Sequence, residues 1–267
     1  MVSNESSRQR ILLAIDTGSL TRPALEAAAA LAVGLRTDLA ALFVEDEQLL
    51  RLAALPFAHE IGFPSAKLRR IGLRDMEKAF RTQAEQLRRT IENTAQRLTL
   101  AWTLDVARGE ILSASLARLQ PQDLLVVSKG RRGGFALRGA RAGEEPFGTL
   151  AARPVMAVFD GSDATRRALE AGLALANVIA AELVVLIPAE GPEPFRLIRQ
   201  SAGAWLAERG GAARYLSVAA ADLAAIARAV RSLGAGAVVL ATPTTQLELR
   251  ALAELLEYIA CPLVLLR

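Results

Sequence analysis

The chain has 267 residues, 52% apolar and 22% charged, enough apolar mass for one large core or two of ordinary size. With one cysteine (Cys261) and one histidine (His59), an internal disulfide, a structural zinc and any site of repeated His or Cys ligands are excluded, so no metal is expected. The net charge is +4 and aromatic residues make up only 4%, a balance that argues against nucleic acid as a partner.

The polar N-terminus, Met1 to Arg10, carries no apolar signal region, and no stretch of about 18 apolar residues runs unbroken, so a cytoplasmic protein with no membrane partner is expected. Ile11 to Ile15 is then an aliphatic run too short for a helix and reads as a strand. A helix over Thr21 to Leu35 and a strand over Leu39 to Val44 follow. The pattern continues with a long charged helix (Arg74 to Leu98), a strand (Ala101 to Val106), a helix (Ile111 to Leu119) and a strand (Leu124 to Val127). The same alternation returns in strands Val155 to Phe159, Leu183 to Ile187, Tyr215 to Val218, Val238 to Leu240 and Leu263 to Leu266. Between them lie helices Thr165 to Ala181, Pro194 to Arg209 and Asp222 to Leu233. Near-continuous apolar strands joined by helices imply parallel strands covered on both faces.

The recurrence is a duplication. Ile15 to Ala27 matches Phe159 to Ala171 at an offset of 144, with Asp, Thr, Arg, Ala, Leu, Glu and Ala coinciding. The offset still holds at Leu39 to Phe43 against Leu183 to Ile187. It then falls to 113, where Asp123 to Ser128 matches Gly236 to Ala241, so the first copy holds an insertion placed at about 46–75. The expected architecture is α/β: two doubly wound, Rossmann-like parallel-sheet units in tandem, 1–152 and 153–267. The first copy has no apolar run corresponding to Leu263 to Leu266, and strand Val155 to Phe159 could serve one unit or both.

In such sheets ligands bind at the carboxyl ends of the strands. Polar residues stand there in the first copy: Asp16-Thr17-Gly18-Ser19, Arg108-Gly109-Glu110, and Ser128-Lys129-Gly130-Arg131-Arg132-Gly133-Gly134. Glycine lets backbone N–H groups close on an anion and Lys or Arg neutralises it, so the last loop reads as a phosphate cradle or as a solvated connector. In the second copy Asp160-Gly161-Ser162 persists, where the aspartate can instead cap a helix, and Ala241 to Arg250 is a loop without glycine. No phosphate-binding Gly-x4-Gly-Lys-Ser/Thr loop, Gly-x-Gly-x2-Gly fingerprint, nucleophile elbow or paired carboxylates mark an enzyme, and no catalytic residue is assigned.

Asp16 followed by Thr-Arg-x-Ala-Leu-Glu-Ala, Arg108-Gly109, Asp123-Leu-Leu-Val-Val before a basic Gly loop, and the closing Cys261-Pro-Leu-Val-Leu-Leu together resemble the universal stress protein family, in a two-copy form. The resemblance implies adenine nucleotide, ATP or AMP, in the first copy, with Asp16 and Val44 near the base, Gly109 in the turn after the third strand, and the Gly130/Gly133 loop around the phosphates. The loop has the family's glycine spacing through Gly143, with Glu144 in place of the hydroxyl residue; Gly148-Thr149 is the later Gly-hydroxyl pair. The resemblance further implies a stress-response role exerted through conformation or assembly with a protein partner, and a homodimer formed through the final strand, Leu263 to Leu266, of the second unit. A scaffold with decayed pockets is the alternative.

Overall fold

Runs such as Ile11-Leu-Leu-Ala-Ile15 and Leu183-Val-Val-Leu-Ile187 are buried on both faces, which only a sheet clothed by helices on either side allows. The computed structural model describes residues 9–16, 22–62, 67–128, 147–219, 222–241 and 246–266. The first copy gives β1 (Arg10–Asp16), α1 (Arg22–Leu35), β2 (Asp38–Asp46), α2 (Glu47–Ala53), β3 (His59–Gly62), β4 (Lys67–Arg70), α3 (Leu73–Leu98), β5 (Trp102–Gly109), α4 (Ile111–Leu116) and β6 (Leu124–Val127). The second gives β7 (Val155–Val158), α5 (Asp163–Val178), β8 (Leu183–Pro188), α6 (Pro192–Ala207), β9 (Arg214–Val218), α7 (Leu223–Leu233), β10 (Ala237–Ala241), α8 (Gln246–Tyr258) and β11 (Leu263–Leu266). Among the described residues no helix is long and apolar enough to cross a membrane.

Nine strands form one sheet in the order β5-β2-β1-β6-β11-β10-β7-β8-β9. Neighbours are parallel within β5-β2-β1-β6 and within β11-β10-β7-β8-β9, and the two sets meet antiparallel at β6 and β11. At that seam Leu263 faces Val127, Val264 faces Val126, Leu265 faces Leu125 and Leu266 faces Leu124, all buried. Side chains alternate along each strand, so one layer of core lies under α1, α3, α5 and α6 and the other under α4, α7 and α8. The equivalent helices α1 and α5 cross the seam in contact. Gly34 permits their approach, because a Cβ there would stand 3.1 Å from the Ala174 carbonyl oxygen and 3.1 Å from Val178 Cγ2. At the amino end of the first set, buried Asp123 ties β6 to β1 by accepting from Arg10 Nη2 at 2.8 Å and Arg10 N at 3.1 Å.

The duplication is therefore visible in the strand order, which runs outward from β11 as β6-β1-β2-β5 on one side and β10-β7-β8-β9 on the other. Within each set the strands are parallel, as expected, and only the junction of β6 with β11 is antiparallel. Two expectations need correction. Strand β11 offers no free edge for a second subunit: β10 pairs on one side and β6 on the other, so β11 fills the place next to β6 that the first copy leaves without a strand of its own. The stretch Ala241 to Arg250 is not all loop, since α8 begins at Gln246. Strand β7 is bonded to β8 and β10 alone, which assigns it to the second set. The insertion folds as α2 and the β3–β4 hairpin.

Because β11 is interior, truncating it should be costly. Leu265→Ala is expected to lower stability by about 2–5 kcal/mol, whereas Val106→Ala on the exposed edge strand β5 should stay within about 0.5 kcal/mol. Chemical denaturation of the two variants checks the contrast, and equal losses would place β11 outside the sheet.

Candidate nucleotide site

Strand order reverses beside β1: the chain leaves it for β2 and β5 on one side and returns to β6 on the other. Loops diverge at such a point and leave a crevice at the carboxyl ends. Register brings the expected residues to it. Asp16 pairs with Val44 and Val44 with Ala107, which sets β1, β2 and β5 in one row. Gly109 lies two residues beyond that row, opposite Asp46. Ser128 follows Val127, the partner of Ala14, and so lies close to the row on the far side of β1. At about 4.8 Å between strands, β5 to β6 spans roughly 14 Å.

The side chains differ in what they offer. Val44 is fully buried at the end of β2, and Ser128 is buried at the end of β6. Gly109 has φ 140°, a backbone conformation side chains disfavour, and the nearest atom to a Cβ there would be 4.0 Å away; the turn, not crowding, requires glycine. Glu110 then caps α4, accepting from the backbone N–H of Leu112 at 3.0 Å and of Ser113 at 2.8 Å. Arg108 turns to Glu45, its neighbour across the β2–β5 register, at 2.7 Å, with Glu77 of α3 at 3.9 Å. The hydrogen bond and charge of Glu45 raise the Arg108 pKa, so this guanidinium is held by carboxylates of the same edge. With Asp46 accepting from Gln48 N at 2.8 Å to start α2, the β2–β5 end of the crevice is rich in carboxylates. Thr17, Gly18, Ser19, Lys129, Gly130, Arg131, Gly133 and Gly134 lie outside the described residues.

Two carboxylates absent from the expected site shape what surrounds it, Glu45 beside Arg108 and Glu26 of α1. Glu26 is buried, yet both its oxygens are used. One accepts from Arg22 Nε at 2.7 Å and the other from Thr149 N at 2.9 Å and Thr149 Oγ1 at 2.5 Å. The hydroxyl of the later Gly-hydroxyl pair is thus committed to a carboxylate. The repeat places Glu170 at the corresponding position, where it is exposed, so the pattern alone could not single out Glu26.

In the second copy the corresponding aspartate is spent locally. Asp160 Oδ1 accepts from Thr165 Oγ1 at 2.6 Å and Ser162 N at 2.8 Å, while Ser162 caps α5. Partial burial raises the Asp160 pKa, and these hydrogen bonds outweigh it, leaving the pKa lowered. Cys261 is buried beside β11, and burial pushes its thiol up to about 12, so it is not a nucleophile at neutral pH. No group of three or more His, Cys, Asp or Glu able to hold a metal occurs among the described residues.

No protein-family model matches the sequence, and no curated protein does. Solved structures do. The chain is similar to a universal stress protein from Archaeoglobus fulgidus DSM 4304, with 12% identity, 98% of this chain and 99% of that one covered, and a TM-score of 0.55. It is also similar to a putative universal stress protein from Pseudomonas aeruginosa UCBPP-PA14 (15% identity, 97% and 93% covered, TM-score 0.51). A functionally unknown protein from Pseudomonas aeruginosa PAO1 matches comparably (15%, 97% and 92%, 0.50). The universal stress protein fold expected from the sequence is present along the whole chain.

A carboxylate whose folded-state pKa is lowered stabilises the protein above its unfolded pKa, and the effect fades as pH falls through the folded value. Asp160→Ala should therefore lower stability at neutral pH, by less than about 1 kcal/mol because solvent screens this largely exposed group, and its gap to the wild type should close as the solution is acidified below the ordinary aspartate range. Thermal melts as a function of pH measure both. A gap that persists unchanged in acid would contradict a role for the charged Asp160 in holding Ser162 and Thr165.

Proposed function

We propose that the protein is a stress-response protein of the universal stress type that binds an adenine nucleotide, ATP or AMP, in its first copy and acts through conformation or assembly. The observation carrying this reading is the register that brings Asp16, Val44 and Ser128 to the carboxyl ends of β1, β2 and β6, with Gly109 two residues on, at the point where strand order reverses. Charge sets the ligand's direction. The base belongs over Val44, toward the carboxylate-rich β2–β5 end, where Glu45 and Asp46 repel phosphate. The phosphates belong toward β6, whose following segment carries Lys129, Arg131 and Arg132 in sequence. The assembly through which it acts must use a surface other than β11.

A scaffold without a nucleotide is the second reading, favoured by the engagement of Thr149 with Glu26, which removes one hydroxyl from service to a phosphate. Calorimetric titration of ATP and AMP separates the two. Asp16→Ala is expected to abolish nucleotide binding and Asp160→Ala to leave it unchanged. Equal losses would mean the wrong crevice, and a wild type that takes up neither nucleotide at millimolar concentration would leave the scaffold.

A further inference from the structure

Glu26 has the contacts of a bound ligand, although it belongs to the chain. Its side chain is only 5% exposed, and three donors from two separate segments close on the carboxylate. Arg22, one turn back on α1, donates Nε to one oxygen at 2.7 Å. Thr149 gives the other oxygen both its backbone N–H at 2.9 Å and its Oγ1 hydroxyl at 2.5 Å. A guanidinium N–H, a backbone N–H and a hydroxyl converging on one carboxylate is how proteins hold a small oxyanion.

Both donor segments are held by contacts that do not involve Glu26. Thr149 stands in a turn closed by Leu150 N and Ala151 N, each donating to Phe147 O at 3.0 Å, which leaves the Thr149 N–H to the carboxylate. Leu150 is buried, and β10 comes close behind the turn: a Cβ on Gly236 would stand 3.5 Å from the Leu150 carbonyl oxygen, and Gly236 N donates to Pro154 O at 2.9 Å. On the other side, Ala24, Leu25, Ala27 and Ala28 bury this part of α1 in the core. Donors fixed in this way stay near their positions when the group between them is removed, because a packed interior relaxes only partially. Solvent is close, since Gly148 is exposed and the Arg22 side chain is 32% exposed. The arrangement belongs to the first copy: Arg166, the counterpart of Arg22, pairs with Asp163 at 3.0 Å, and Glu170 is exposed.

We propose that Arg22 and Thr149 form a binding site for a small carboxylate, which the protein keeps closed with its own Glu26, an autoinhibitory contact between α1 and the chain entering the second copy. A tethered competitor holds an effective concentration that a dilute external ion does not match, so the wild type stays closed. Nothing in the proposal depends on nucleotide binding. Glu26→Ala removes Cγ and the carboxylate, the heavy atoms of an acetate ion, and so opens a vacancy of that shape. The test compares thermal melts of the full chain at neutral pH in about 100 mM sodium acetate and in sodium chloride of equal ionic strength. In chloride the Ala variant should melt below the wild type. Acetate should raise its melting temperature by about 3 °C or more, the shift expected at roughly ten times the dissociation constant. If the variant is unfolded in chloride, acetate should restore the folded circular-dichroism signal. The wild type, Glu26→Gln (which fills the space) and Glu170→Ala (the exposed counterpart) should each melt alike in the two salts. Glu26→Ala/Arg22→Gln should need at least about tenfold more acetate than Glu26→Ala. An Ala variant that behaves identically in acetate and chloride, folded or not, would overturn the proposal. So would an acetate response shared by the wild type or Glu170→Ala, or one undiminished in the double variant.

Discussion

Two sheets of parallel strands become one because β11 lies between them, parallel to β10 and antiparallel to β6. Its four residues are buried on both faces and paired on both edges, a placement that would leave the backbone groups of β6 and β10 unmatched if the strand were withdrawn. The rest depends on this pairing. It orients the two copies about the seam, brings α1 against α5 at Gly34, and leaves β5 and β9 as the outer strands of the sheet. It also directs assembly elsewhere: a subunit arriving at β11 would find neither edge free.

The strands were legible in the sequence because parallel strands covered on both faces are uniform apolar runs, and the duplicated Asp-to-Ala stretch made the topology recur. The seam was not. Leu263-Val-Leu-Leu266 has the same composition whether it ends a sheet or joins two, and pairing between residues 136 positions apart, Leu263 with Val127, leaves no local pattern. Helix α8 was partly hidden by Pro243 and the threonines before it, which read as loop. Asp16, Val44, Gly109 and Ser128 stand at or just past strand ends, as the sequence placed them. Arg108 stood among the polar strand-end residues, and its engagement by Glu45 left no mark in the sequence because the β2–β5 register that joins them is a tertiary fact.

The copies have kept one fold and diverged in what they do with equivalent residues. Asp16 ends β1 opposite Val44 of β2, and Asp160, past the end of β7, accepts from Ser162 N and Thr165 Oγ1. Glu26 is buried with Arg22 and Thr149, while Glu170 reaches solvent. A buried carboxylate keeps its charge only where donors replace water. The same Leu-Glu-Ala sequence serves as an interior clamp where Arg22 and Thr149 donate to Glu26, whereas Arg166, the counterpart of Arg22, pairs with Asp163 and Glu170 is exposed. Such local exchanges differ between the copies without altering the sheet.

The joining strand is most directly tested by solution NMR of dilute protein, reading nuclear Overhauser contacts and amide exchange across the seam. The account predicts contacts linking Val126 with Val264 and Leu125 with Leu265, slow exchange throughout β6 and β11, and the same contacts absent between differently labelled chains mixed together. Contacts that appear only between chains, or β11 amides that exchange as freely as an exposed edge, would contradict it.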